Sequence, residues 1–101
     1  MNKNLKENIY LKLKLIPKGK VITYKNLAES VNSKAYRYVG YCMKTNLNIK
    51  EIPCYKVVKS NGEVGKYSGA GGINMKIKLL RKDRIEVING KVDLEKYGFK
   101  F

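Results

Sequence analysis

The sequence predicts a small α/β domain of winged-helix-like architecture: a helix-turn-helix, short strands and a C-terminal hairpin. Three features lead there. Two short helical segments meet at the polar break Asn32-Ser33, an apolar β-branched block runs from Ile52 to Val58, and Asn89-Gly90 sits between extended residues. The 101 residues leave room for one domain, expected to span 1–101 with no amino-terminal companion. A chain this short buries only about 60–65% of its unfolded surface, so loops and a shallow pocket must carry its function.

From Leu5 to Ile16 apolar residues fall at 5, 9, 13 and 16, a helical stripe stopped by Pro17. Pro17-Lys18-Gly19-Lys20 reads as a turn and Val21-Ile22 as a very short extended stretch. Thr23 suits an N-cap, opening a helix over Tyr24 to Val31. Asn32-Ser33 breaks and re-caps the chain, and a basic, aromatic helix follows from Lys34 to Thr45. Such a pair matches a helix-turn-helix, although short helix pairs also occur in other α folds. Beyond the Ile52–Val58 block, Ser60-Asn61-Gly62 is a turn, and the Gly-rich run from Gly65 to Gly72 reads as a loop wall. Helical spacing returns from Asn74 to Asp83, and the tail from Ile85 to Leu94 reads as a hairpin about Asn89-Gly90.

Charge narrows the function. Twenty-two Lys and Arg stand against eight acids, a formal +14. A field of that size attracts polyanions, and of nucleic acid, an anionic membrane surface or mere solubility, nucleic acid is the favoured partner. No window approaches the ~20 apolar residues of a membrane span. The polar start Met1-Asn2-Lys3-Asn4 lacks a signal-peptide core, which places the chain in the cytoplasm or wherever the DNA is, with reduced thiols. Two cysteines, Cys42 and Cys54, without any histidine or C-x-x-C pair imply no metal, and no cofactor is expected. Each thiol alone reads most simply as a buried structural cysteine; Cys42, mid-helix, fits that better than Cys54, which follows a proline and precedes the Gly-rich loop.

The motifs Thr23-Tyr24-x-x-Leu27-Ala28, Ala35-x-Arg37-x-Val39-Gly40, Asn46, Ile52-Pro53-Cys54-x-Lys56-Val57-Val58, Gly62, Gly65, Tyr67-Ser68-Gly69 and Lys76-x-x-Leu79-Leu80 occur in that order. Together, over roughly residues 5–85, the chain resembles the carboxy-terminal domain of the O6-alkylguanine-DNA alkyltransferases. The resemblance implies a monomeric repair protein that binds double-stranded DNA, flips an O6-alkylguanine out of the stack and accepts its alkyl group on Cys54 in a single turnover. Extrusion is needed because the reacting atom is inaccessible within the duplex.

By the same resemblance, Arg37 fills the gap left by the flipped base; on residues alone it would be a phosphate contact or a solvated side chain. Tyr24, Ser33, Lys34, Ala35 and Tyr36 join it in DNA contact. Met43, Val57, Val64, Gly65, Tyr67, Ser68, Gly69 and Lys76 form the base pocket. Otherwise Tyr24 would be a boundary residue, Met43 plain core and Lys76 one more exposed lysine. Cys54 is placed with Asn46, Tyr55 and Asp83 as the reacting group and its relay.

The sequence departs from the family here, because Tyr55 stands where a histidine follows the cysteine and Asp83 where a glutamate ends the relay. A phenol with pKa near 10 is a poor base at neutral pH, although it can hold a water. Units of this kind also resemble the alkyltransferase-like proteins, which bind alkylated guanine without repairing it and usually lack the cysteine. That leaves a non-catalytic damage sensor as the alternative, with a generic basic coat protein a distant third.

Overall fold

Local signals set most of the elements. In the computed structural model the described residues are 5–46, 48, 50–65, 67 and 71–101, so Ser68 and Gly69 lie outside them. Helix α1, Leu5–Lys14, turns Ile9 and Leu13 fully into the core. Ile16 continues the stripe from the turn that Pro17 forces.

Strand β1, Ile22–Thr23, leads directly into α2, Tyr24–Ser30. As expected, Thr23 caps that helix: its Oγ1 accepts from the Asn26 amide at 3.0 Å. The break after α2 uses Asn32 in the left-handed region at φ 57°. Helix α3, Tyr36–Lys44, begins two residues later than the sequence suggested. Ser33 Oγ accepts from the Ala35 amide at 2.9 Å, which holds Lys34 and Ala35 in the turn.

The Ile52–Val58 block divides. Cys54–Lys56 forms a 3-10 turn, and only Val57–Val58 becomes a strand, β2. β2 pairs in parallel with β1, Ile22 opposite Val57 and Thr23 opposite Val58. Alternation along these short strands sorts the core into two clusters. Ile22 and Val57 face the helices α1–α3, with Ile9, Leu13, Leu27, Val39 and Cys42. Val21 and Val58 face Val64, Leu80, Ile85, Val87 and Val92.

Helix α4 spans Gly72–Lys82 and supplies Leu80 to that second cluster. Ile88 and Lys91 exchange both backbone bonds at 3.0 Å around Asn89 and Gly90, which have φ 52° and 73°. This is the expected two-residue hairpin turn. Its arms remain isolated bridges, and the expected extended arm gives way at Leu94, where Asp93 caps a one-turn helix α5, Leu94–Tyr97.

Candidate active site and nucleic-acid interface

A cavity of about 570 Å³ opens between α2, α3 and the 3-10 turn. Helix α3 lines it with Tyr36, Gly40, Met43 and Lys44, whose spacing places them on one face. Tyr24 from the first turn of α2, Lys59 and Tyr67 complete the wall, and Cys54 lies on it. The sulfur-bearing residue is only 4% exposed, yet it borders open space.

Local bonding fixes Cys54. Its amide donates to Ile52 O at 2.8 Å, and its own carbonyl accepts from the Val57 amide. The Asn46 side chain lies beside the thiol and favours its ionised form. Asn46 is itself held, donating to Ile52 O at 2.9 Å and accepting from the Asn48 amide at 2.9 Å. Burial pushes the Cys54 thiol up; Asn46, the positive Lys76 and the turn's own backbone pull it back without cancelling the rise. Burial also raises Tyr24 and Tyr67, with the nearby Cys54 adding to both, so they stay neutral hydroxyls.

Lys76 differs sharply from the exposed lysine its residue type suggests. It is 1% exposed, and its Nζ donates to Val57 O at 2.7 Å, beneath the Cys54 turn. Burial lowers it to about 8; Cys54 opposes the fall and Lys59 adds to it. Val57, read as pocket floor, is fully buried with its carbonyl engaged by that lysine.

Tyr55 and Asp83 are not assembled on the thiol. Tyr55 lines a neighbouring cavity with Leu79 and Asp83, and its phenol is pushed up to about 12 by burial, then by Asp83 and Tyr67. Asp83 Oδ2 accepts from the Gly19 amide at 3.1 Å and pairs with Lys56 Nζ at 3.2 Å. Lys56 also donates to Pro17 O at 3.0 Å. The acid therefore ties the end of α4 to the turn after α1 and to the Cys54 turn, with Tyr55 on the same cavity wall.

Among the other expected positions, Val64 is 1% exposed and packs in the second core cluster, not in the pocket. Gly65 lies beside Tyr24 of the cavity wall: a Cβ there would lie 3.8 Å from the Tyr24 hydroxyl. Lys34, Ala35, Tyr36 and Arg37 are exposed at the start of α3, and Ser33 is half-buried. Among the described residues the Arg37 side chain carries no hydrogen bond or ion pair. Sequence reasoning missed Lys44 and Lys59 and left Gly40 and Lys56 as motif positions without a role. Gly40 and Lys44 follow Tyr36 by four and eight residues, a spacing that would have found them. Nothing local marks Lys59. Among the described residues no group of three His, Cys, Asp or Glu side chains could hold a metal, and no helix is long and apolar enough to cross a membrane.

A short helix pair with a solvent-facing arginine, set beside a cleft that presents a Pro-Cys thiol, defines a DNA-binding domain with a thiol site. The chain belongs to the family described as 6-O-methylguanine DNA methyltransferase, DNA binding domain, whose pattern matches residues 4–85. It is 46% identical over 92 residues to a bifunctional methyltransferase/endonuclease of Picrophilus torridus, covering 90% of this chain and 30% of that one. It is 42% identical over 60 residues to the methylated-DNA–protein-cysteine methyltransferase of Rattus norvegicus, covering 58% of this chain and 29% of that one. Against these curated relatives it thus spans about a third of their length or less.

Among solved structures, S. pombe Atl1 in complex with damaged DNA containing O6-carboxymethylguanine matches with TM-score 0.87 at 26% identity, covering 100% of this chain and 98% of that one. The O6-methylguanine-DNA methyltransferase of Pyrococcus kodakaraensis matches with TM-score 0.68 at 36% identity, covering 78% and 45%.

Proposed function

We propose that this protein binds duplex DNA through α2 and α3, receives an extruded O6-alkylguanine in the Tyr24–Cys54 cleft, and transfers the alkyl group irreversibly to Cys54. The observation that carries this reading is the Cys54 thiol on the wall of a cavity of about 570 Å³, within the usual range for small-molecule sites. Cys54 Sγ attacks the alkyl carbon, an S–C bond forms and the C–O6 bond breaks. The electron pair stays on guanine, which gains the proton the thiol loses.

Without a histidine, Lys76 is the group that favours the thiolate. With its pKa lowered to about 8, it is about a tenth neutral at pH 7, enough to take the thiol proton. The resulting ammonium then faces the sulfur anion and gives that proton up, through solvent, to the guanine that leaves. Tyr24 and Tyr67 offer neutral hydroxyls to the base, and Arg37 fills the vacated stack, where a planar cation both stacks and hydrogen-bonds. The partner is double-stranded DNA, and the acceptor acts once.

Incubation with a duplex containing O6-methylguanine, followed by peptide mass spectrometry, tests this. One methyl on the Cys54 peptide is expected; an unmodified peptide in a protein that holds the lesion tightly would overturn alkyl transfer. The second reading, a damage sensor without chemistry, is favoured by the end-to-end match to S. pombe Atl1 and by the upward push on the Cys54 thiol. The same experiment separates the two.

A further inference from the structure

A second cavity, of about 460 Å³, lies on the other side of Tyr67, which lines both. Its wall carries Tyr55, Asp83 and three lysines brought from distant parts of the chain. Lys18 comes from the turn after α1, Lys50 from the connection after α3, and Lys82 from the last residue of α4.

These lysines differ from their neighbours. Lys56 is committed to Asp83 and Pro17 O, Lys76 to Val57 O, and Lys59 to Glu63 at 3.7 Å. Among the described residues the side chains of Lys18, Lys50 and Lys82 carry no hydrogen bond or ion pair. The one acid on the wall, Asp83, is already answered by Lys56 at 3.2 Å and the Gly19 amide at 3.1 Å. Three unanswered ammonium groups around a concave surface therefore dominate its potential, because low-dielectric walls focus the field into the cleft.

The aromatic residues add a second chemistry. The Tyr55 hydroxyl has no hydrogen-bond partner among the described residues, and its phenol, pushed up to about 12, stays protonated as a donor. Tyr55, Tyr67 and Leu79 give the cavity apolar surface on which a planar ring can rest.

We propose that this second cavity is a phosphate-binding site, in which Lys18, Lys50 and Lys82 hold the phosphate of a nucleotide while Tyr55 and Tyr67 contact its base or sugar. The nucleotide is either free or part of a DNA strand, and the cationic chemistry is the same for both. The site needs no reaction at Cys54, so it stands or falls apart from alkyl transfer. Tyr67 forms a common wall, so occupancy on one side restrains the residue that bounds the other.

Calorimetric titration of the whole chain with 5′-GMP, guanosine and inorganic phosphate, beside salt-dependent binding of an undamaged duplex, tests the proposal. The variants are Lys18→Gln/Lys82→Gln and a charge-matched control, Lys91→Gln/Lys100→Gln. For a free nucleotide, 5′-GMP binds at least about tenfold tighter than guanosine, and the cavity variant loses about tenfold while the control does not. For a DNA strand, free 5′-GMP gains less than about tenfold over guanosine, and the cavity variant weakens duplex binding and lowers the salt slope by about two relative to the control. If the two variants behave alike toward both 5′-GMP and duplex, the site does not exist.

Discussion

At Cys54, the reactive and structural readings of a buried thiol meet in one residue. Burial favours the neutral thiol, and among the described residues Asn46, Lys76 and the local backbone work against it. Removing the sulfur should leave the cleft intact, so Cys54→Ala is expected to bind O6-methylguanine duplex as tightly as the parent while acquiring no methyl. Weakened binding would mean that the thiol shapes the pocket. Lys76 supplies a pH signature. Its folded pKa of about 8 lies below the ordinary 10.5, so the folded state binds fewer protons between those values and stability rises with pH across that window. The gain approaches 3 kcal/mol in order of magnitude for this 1% exposed group, and it is lost as pH falls through about 8. Cys54 and Cys42, both raised, oppose it above pH 9. Denaturant melts of the parent and Lys76→Met between pH 7.5 and 10 should therefore diverge in slope, with the parent gaining more. Parallel curves would place Lys76 in its charged form throughout. Slower alkylation of Cys54 by iodoacetamide in Lys76→Met, restored in part by Lys76→Arg, would tie the lysine to the thiolate.

At the scale of elements, short local contacts decide where helices begin, and these were legible. Thr23 presents its oxygen to an amide three residues on, and Thr23→Ala is expected to cost about 1 kcal/mol in a denaturant melt, with α2 entry loosened. Gly62 makes the opposite case. Its φ is 90°, and a Cβ there would stand 2.6 Å from Val92 O, so Gly62→Ala should destabilise by about 1–3 kcal/mol through the tail's docking; a loss under half that would mean the backbone shifts freely. The sequence shows a glycine and a turn at this place, but not that the tail folds back against it. The same limit explains the rest of the site. The α1 stripe, the Thr23 cap, the Asn89-Gly90 turn and the Pro-Cys block rest on residues a few positions apart, where periodicity and turn chemistry act directly. Asp83 meets Gly19 across 64 positions and Lys56 meets Pro17 across 39, so neither partner could be read from its neighbours. Asp83, a relay acid by resemblance, therefore gave no sign of its ties between elements. Val64, a pocket residue by resemblance, packs in the core, because the short β1–β2 pair carries a second cluster on its far face.

For the whole molecule, charge sets how the fold meets its partner. The Cα radius of gyration of 12.4 Å is close to the ~13 Å expected for a compact chain of this length, so the +14 is held on a small surface. Few of the cations are neutralised: the ion pairs among the described residues are Lys56–Asp83 and Lys59–Glu63. Duplex binding should therefore be dominated by counterion release. With six or more phosphates engaged, affinity for undamaged DNA is expected to fall by about a thousandfold or more between 50 and 200 mM salt. Lesion recognition should behave differently, because an extruded base in the Tyr24–Cys54 cleft is held by contacts that release no counterions. The ratio of affinities for O6-methylguanine and undamaged duplex should thus stay nearly constant as salt rises, while both fall. Arg37→Ala provides the contrast: it should lower that ratio about tenfold if the guanidinium fills the vacated stack, while the salt slope changes by about one or less. A ratio that does not change, together with an equal loss on both duplexes, would make Arg37 a phosphate contact and leave the extruded base without its plug.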